Sequence, residues 1–231
     1  MNAVTASPDA TLERARFNMI EQQIRPWEVL DQTVLDLLSV VRREDFAPPE
    51  LRALAFVDME LPLRIDGVDT GEKMFSPKME ARFLQELGIK AHEQVLEIGT
   101  GSGYMAALLA HKAQQVLTVE IDERLQRFAS ANLARCGVAS VRVELGDGAR
   151  GWPARAPYDV IMVSGALPAL PDGLLQQLKI GGRLGVIVGS SPVMSAQVIT
   201  RVTEQGFDTL RLFETDIKPL RNAWAPSSFR F

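Results

Sequence analysis

The chain has 231 residues, of which 46% are apolar. This length and composition favour one domain with an appendage over two full domains, and they supply enough apolar residues for a sizeable core. A formal net charge of −4, without any run rich in Lys and Arg, argues against a nucleic-acid-binding protein. No apolar stretch reaches the ~18 residues of a membrane span. We therefore expect neither nucleic acid nor a membrane as a partner.

Cysteine and histidine are scarce, with one cysteine, Cys136, and two histidines. A lone cysteine cannot form an internal disulfide, and the first ten residues lack the basic and apolar regions of a signal peptide. We therefore expect a cytoplasmic protein. So few metal ligands also argue against a structural zinc site, and we expect no metal. Cys136 falls on the apolar side of a predicted helix, where we expect it to fill the core.

The N-terminal part is predicted to be mainly helical, after a loose tail over residues 1–10. The predicted helices run from Leu12 to Gln23, ending near Pro26; from a cap at Asp31; from Pro48-Pro49-Glu50; and from Met79 to Leu87, before Gly88. Residues 61–77 contain Gly, Asp and Pro without a clear period. That pattern favours a loop or short strands.

From residue 94 onward, strands and helices alternate. Strands are predicted at Gln94–Ile98, Gln115–Val119, Val141–Leu145, Tyr158–Val163 and Gly182–Val188, and helices at Tyr104–His111, Glu123–Cys136 and Pro171–Leu178. This alternation predicts a parallel sheet covered by helices on both faces. Two further strands, Ala196–Thr203 and Thr209–Pro219, are joined by a short connection, which favours an antiparallel pair at the sheet edge.

A glycine-rich loop joins the first of these strands to the helix that follows. The segment Gly99-Thr100-Gly101-Ser102-Gly103 allows a tight turn and close approach of a ligand to the backbone. A dinucleotide-binding loop has its third small residue three positions after the second glycine, where this chain has Tyr104. The spacing G-x-G-x-G instead resembles that of S-adenosylmethionine (SAM) dependent methyltransferases. The sequence therefore predicts SAM as the cofactor.

Acidic residues at the next two strand ends support this prediction. Glu120 closes the second strand and can accept both ribose hydroxyl hydrogens. Asp147 follows the third strand and is placed to accept from the adenine amino group. The residues expected around the cofactor are Glu97, Gly99, Thr100, Gly101, Ser102, Gly103, Glu120, Ile121, Asp147 and Gly148.

Between Arg16 and Leu220 the chain resembles the protein-L-isoaspartate O-methyltransferase family. The resemblance rests on five segments: Val41–Pro48, Leu96–Tyr104, Gly146–Gly148, Ala154–Val163 and Ile180–Leu184. It implies an α/β fold with a Rossmann-like seven-stranded sheet, helices on both faces and a helical N-terminal addition. The addition and its substrate loop would occupy residues 1–90 and the SAM-binding domain residues 91–231, together as one compact unit. It also implies O-methylation of the α-carboxylate of L-isoaspartyl residues, which starts repair of damaged proteins.

The chain departs from the family pattern in the loop where the family has its active-site serine. The usual Gly-Gln-Thr-Ile-Ser-x-Pro is here Gly71-Glu72-Lys73-Met74-Phe75-Ser76-Pro77. Anchored on Pro77, Phe75 takes the serine position and Ser76 comes one residue later, which in an extended segment faces the opposite side. We take Phe75 and Ser76 as candidate catalytic residues. Ser164, in place of a family threonine, and Arg221, in an aromatic and basic end segment, are candidate substrate contacts.

Three alternatives to isoaspartyl repair stay open at this point. The first is a SAM methyltransferase of the same lineage with another acceptor, and the second is a SAM-binding protein without turnover. The third is an NAD enzyme, which Tyr104 disfavours. A carboxylate acceptor is already ionised at neutral pH, its pKa being roughly 4, so methyl transfer needs alignment and exclusion of water more than a general base. The oligomeric state is left open by the sequence.

Overall fold

The structure is a computed structural model and describes residues 8–225. The chain divides into two compact units, Met1–Gln85 and Glu86–Phe231. Residues 1–7 of the expected tail lie outside the described residues. Its last residues, 8–10, are helical, so the tail prediction was wrong there. Pro8 and Asp9 explain this difference, since proline and an acidic residue both favour the first turn of a helix.

Short helices make up most of the first unit, as predicted. They are α1 (Pro8–Met19), a π-helical turn (Ile20–Ile24), α2 (Gln32–Val40), α3 (Pro77–Leu87, ending in the second unit), and 3-10 segments Arg25–Trp27, Arg43–Asp45 and Pro49–Phe56. Asp31 caps α2 as predicted, because its side chain accepts the N–H of Thr33 at 2.8 Å. The buried residues Val34, Leu35 and Leu38 form the core face of α2.

The stretch between these helices contains a β-hairpin, which confirms the short-strand alternative. Strand β1 (Leu61–Ile65) pairs antiparallel with β2 (Val68–Met74). The two residues between them, Asp66 and Gly67, both have positive φ, 51° and 77°. Such a pair is typical of a two-residue hairpin turn. The sequence did not single out these strands because β2 is mostly polar and shows no clean alternation.

The second unit contains the predicted seven-stranded sheet with helices flanking it. Its strands are β3 (Gln94–Ile98), β4 (Gln115–Glu120), β5 (Val141–Leu145), β6 (Tyr158–Leu167), β7 (Leu178–Ser190), β8 (Val193–Arg201) and β9 (Phe207–Thr215). They lie in the order β5-β4-β3-β6-β7-β8-β9. The first five are parallel, and β8 and β9 form the predicted antiparallel pair at the edge.

The helices of this unit are α4 (Tyr104–Lys112), α5 (Glu123–Arg135) and α6 (Asp172–Leu175), together with a 3-10 turn at Pro153–Arg155. The prediction of a helix reaching Leu178 was wrong. Leu178 is fully buried and pairs with Tyr158, so it already belongs to β7. Cys136 is also exposed, at the C-terminal end of α5, rather than in the core.

No helix within residues 8–225 combines the length and apolar character needed to cross a membrane. The same residues contain no group of three or more His, Cys, Asp or Glu side chains placed to hold a metal ion.

Candidate functional site

The candidate site lies at the carboxyl ends of the parallel strands in the second unit. Strand β3 pairs with β4 on one side and β6 on the other, so the strand order reverses at β3. Ligands of open parallel sheets bind in the crevice at such a reversal, outside the carboxyl ends of the strands. The loop Gly99–Gly103 directly follows β3. The predicted glycine loop is therefore at the expected position for a ligand.

The glycine loop is a tight turn packed against α5. Gly99, Gly101 and Gly103 have φ values of 91°, 55° and 85°. A Cβ on Gly103 would lie 3.2 Å from Leu133 Cγ and 3.3 Å from the carbonyl oxygen of Ala129. Only glycine combines this conformation with so close an approach. Gly103 therefore allows the loop to pack closely against α5.

We expect Gly103→Ala to destabilise the protein more than Gly88→Ala does. Gly88 is a matched control, because it also has positive φ (52°) but would place its Cβ in open space. Left-handed strain of about 1–2 kcal/mol applies to both variants. Overpacking against α5 adds roughly 1–3 kcal/mol only at Gly103. Urea unfolding of the two variants measures this difference, and equal losses would contradict the proposed packing role.

Glu120, at the end of β4, connects the glycine loop to that strand. Its buried carboxylate accepts the N–H groups of Gly101 at 2.9 Å, Ile121 at 2.9 Å and Asp122 at 3.0 Å. Carboxylate oxygens each accept more than one donor, so these bonds are compatible with additional bonds from ligand hydroxyl groups. Glu120 thus fixes the shape of the loop at the end of β4.

A buried hydrogen-bonded chain lies beneath the loop. The Thr118 hydroxyl donates to Glu97 Oε2 at 2.7 Å, and Ser164 donates to Glu97 Oε1 at 2.9 Å. A carboxylate has acceptors only, so the 2.7 Å contact between the hydroxyls of Thr100 and Thr118 is donated by Thr100. These hydrogen bonds link β3, β4 and β6. The hydroxyl hydrogen of Ser164, which the sequence suggested as a substrate contact, is therefore already donated to Glu97.

Sequence reasoning missed Thr118 and Asn132. Asn132, on α5, is buried and donates to the carbonyl of Ser102 at 3.0 Å. The Ser102 hydroxyl in turn accepts the N–H of Tyr104 at 3.2 Å, at the start of α4. The available signal was a polar residue in an apolar setting: Thr118 within a valine and leucine strand, and Asn132 beside Leu133 on the inner face of α5.

The turn after β5 carries the second acid. Asp147 Oδ1 accepts the N–H of Ala149 at 2.9 Å, and its Oδ2 accepts the side-chain amide of Asn222 at 3.0 Å. A Cβ on Gly148 would lie 2.8 Å from Ile98 Cγ2, so this turn packs tightly against the end of β3. This packing places the turn at the same edge of the sheet as the glycine loop, and the Asp147 side chain is exposed there.

Arg221 lies in the second unit, at the N-terminal end of α5. Its guanidinium is 3.3 Å from Asp122 Oδ2. Asp122 also caps α5 by accepting the N–H of Arg124 at 2.9 Å. Hydrogen bonds from the Arg124 side chain hold the pKa of the Asp122 carboxyl well below its usual range, against the effect of burial. Arg221 thus lies beside the acidic cap of α5, just after the end of β4.

The two candidate acceptor residues, Phe75 and Ser76, lie in the first unit and are buried. The Phe75 ring stacks on Phe83, with ring centroids 6.4 Å apart and an interplanar angle of 25°. The Ser76 carbonyl accepts the N–H of Met79 at 3.0 Å as α3 begins. Its hydroxyl oxygen is buried and has no hydrogen-bond partner within residues 8–225. The side chain of Ser76 therefore does not cap α3.

A buried arginine, which sequence reasoning did not single out, holds the backbone of this loop. Arg43 donates to the carbonyls of Phe75 at 2.6 Å and Ala55 at 3.0 Å. It also forms an ion pair with Glu80. Burial raises the pKa of Glu80 to about 7, while the attraction of Arg43 opposes that rise. Arg43 thus fixes the main chain at the position where the family has its serine.

Comparison with known proteins gives one family across most of the chain. A family model described as protein-L-isoaspartate(D-aspartate) O-methyltransferase matches residues 14–215. A protein-L-isoaspartate O-methyltransferase of Rhodopseudomonas palustris (strain HaA2) is 43% identical over 206 residues, covering 89% of this chain and 81% of the relative. One from Methanoculleus marisnigri is 42% identical over 176 residues, covering 76% of this chain and 78% of the relative.

Solved structures agree on the fold. A protein-L-isoaspartate O-methyltransferase superposes with a TM-score of 0.76 at 25% identity, covering 93% of this chain and 67% of that structure. A Plasmodium falciparum protein described as a putative protein-L-isoaspartate O-methyltransferase in complex with S-adenosyl-L-homocysteine superposes with a TM-score of 0.74. It is 18% identical, with 90% of this chain and 97% of that structure covered.

Proposed function

Because the chain belongs to the protein-L-isoaspartate(D-aspartate) O-methyltransferase family, we propose that it transfers the methyl group of SAM to the α-carboxylate of L-isoaspartyl residues in damaged proteins. The family is one of SAM-dependent methyltransferases. The observation that carries the proposal is the meeting of the glycine loop, Glu120 and Asp147 at adjacent strand ends. A methyl donor and a carboxylate acceptor then suffice for the reaction.

The residues of the crevice fit the parts of SAM. We propose that the turn at Gly99–Gly103 accommodates the methionine portion and that Glu120 accepts hydrogen bonds from the ribose hydroxyls. Asp147 offers a carboxylate for the adenine amino group, with Gly148 allowing close contact beside it. When bound, SAM supplies an electrophilic methyl group on its sulfonium. The role of these residues is to bind and orient the donor.

On the acceptor side, we propose that Ser76 donates a hydrogen bond to the substrate carboxylate and that Phe75 contributes an apolar wall. A buried hydroxyl without a partner, such as that of Ser76 within residues 8–225, is rare in folded proteins, and a bond to the substrate carboxylate would satisfy it. The acceptor needs no general base, because its carboxylate is ionised. Arg43 would act as a positioning residue through its bond to the Phe75 carbonyl.

The proposal predicts that an isoaspartyl peptide, incubated with methyl-labelled SAM, gains a base-labile label released as methanol. The matched peptide with a normal aspartyl residue should remain unlabelled. Ser76→Ala should lower labelling by about one to two decades, as expected for one lost hydrogen bond to a charged group, while SAM affinity stays unchanged. SAM binding without any labelling of the isoaspartyl peptide would reject the proposed acceptor.

A second candidate is a SAM methyltransferase of this family with a different acceptor. It is favoured by one observation, the aromatic side chain of Phe75 at the family serine position. In that case other carboxylates or peptides would be labelled in the same assay while the isoaspartyl peptide is not.

A further inference from the structure

The chain after β9 returns to the carboxyl ends of the parallel strands. Ala166, near the end of β6, accepts the N–H of Leu220 at 2.9 Å, and its own N–H donates to the Lys218 carbonyl at 3.3 Å. A parallel bridge joins Ala166 and Pro219. We call residues 217–222 the strap. Its first part forms a single parallel bridge to β6, near the carboxyl ends of the strands where the glycine loop lies.

Leu220 seats the strap against two glycines. A Cβ on Gly165 would lie 2.6 Å from Leu220 Cδ2, and a Cβ on Gly99 would lie 3.4 Å from the same atom. Gly99 is the first residue of the glycine loop. The strap therefore runs along the crevice where we place the cofactor.

The next two residues reach the remaining strand ends. Arg221 approaches Asp122 after β4, and Asn222 donates to Asp147 after β5, at 3.0 Å. Asn222 has a φ of 59°, a turn conformation that asparagine tolerates better than most residues. The strap thus contacts the ends of β6, β3, β4 and β5 in turn, and its last polar side chain stands beside the predicted adenine acid.

The strap lies beyond the part of the chain that the family model matches. That match ends at residue 215. The contacts of Arg221 and Asn222 are therefore features of this chain that the family assignment does not supply.

We propose that Asn222 is a further SAM-binding residue, which recognises the adenine amino group together with Asp147. This inference rests on the proposed SAM function. The amino group has two hydrogens, and a carboxylate at Asp147 can accept one of them. Asn222 donates its amide N–H to Asp147 and thereby orients its carbonyl oxygen as an acceptor for the second hydrogen. Recognition by two acceptors selects a purine with an amino group at C6 over one with an oxo group.

The test compares two ligands, S-adenosylhomocysteine and S-inosylhomocysteine, which carries an oxo group in place of the amino group. Calorimetry is run on the wild type, on Asn222→Gly, which removes the side chain without left-handed strain, and on Gln205→Ala. Gln205 is an exposed amide in the connection between β8 and β9. We expect Asn222→Gly to lower the affinity for S-adenosylhomocysteine about tenfold and the affinity for S-inosylhomocysteine less than twofold. Gln205→Ala should change neither affinity.

The outcomes separate the inference from the proposed function. If the wild type does not bind S-adenosylhomocysteine, the proposed function fails. If the wild type binds but Asn222→Gly binds the adenosyl ligand equally well, the inference alone fails. Equal weakening of both ligands would also overturn it, because that result would mean that the strap acts on the shape of the crevice and not on the amino group.

Discussion

Glu120→Ala is expected to weaken SAM binding by about two to four decades. Under the proposed function, the variant loses two hydrogen bonds from the ribose hydroxyls to a buried carboxylate, each contributing roughly 1.5–3 kcal/mol. It also loses the three bonds that hold the backbone N–H groups of Gly101, Ile121 and Asp122. Calorimetry with SAM or S-adenosylhomocysteine measures the loss directly.

Glu123→Ala is the matched control for this variant. Glu123 lies three residues away in the first turn of α5, where its side chain is 60% exposed and pairs with Arg127. An exposed pair of this kind contributes little, so SAM affinity should stay within about threefold of the wild type. If Glu120→Ala folds normally and binds SAM as the wild type does, Glu120 only supports the loop, and the ribose must be recognised elsewhere.

The positions of the glycine loop and the two acids at neighbouring strand ends could be predicted because their signals are local. A glycine loop after an apolar strand, with acids at the next two strand ends, needs only the strand order to bring its parts together. Thr118 and Asn132 were not predicted, because their roles depend on which residue lies opposite them in the folded unit. Thr118 meets Glu97 from a neighbouring strand, and Asn132 meets the Ser102 carbonyl across thirty residues.

The surroundings of the candidate acceptor residues Phe75 and Ser76 were less predictable for the same reason. The segment Val41–Pro48 carried part of the family resemblance, but its sequence did not reveal what its charges do. In the structure Arg43 and Glu44 are both buried and paired, Arg43 with Glu80 and Glu44 with Arg16. Arg43 and Glu80 are 37 positions apart in the sequence, and Arg16 and Glu44 are 28 apart. Periodicity and capping patterns detect only much shorter separations. The strap likewise has no periodic signal, since it consists of a bridge and a turn.

Arg43→Met is expected to lower the free energy of unfolding by about 3–5 kcal/mol, the usual cost of removing one partner of a buried ion pair. The Arg43 side chain is 1% exposed, and its loss leaves the Glu80 carboxyl and the carbonyls of Phe75 and Ala55 without this donor. The cost should grow with pH. Without Arg43 the pKa of the buried Glu80 rises further, so the folded state retains a proton that the unfolded state releases. Stability therefore falls from pH 5 to pH 8, which denaturant unfolding at the two values measures.

Two further variants make this result specific. Arg52→Met removes an arginine whose side chain is 48% exposed and paired with Asp45, and it should cost less than about 1 kcal/mol. The double variant Arg43→Met with Glu80→Met removes the stranded carboxyl, so it should regain part of the lost stability and should lose all of the added pH dependence. The unpaired carbonyl of Phe75 remains in the double variant, so isoaspartyl methylation should stay impaired even where folding is restored. Full recovery of activity together with stability would show that Arg43 serves the fold and does not position the acceptor loop.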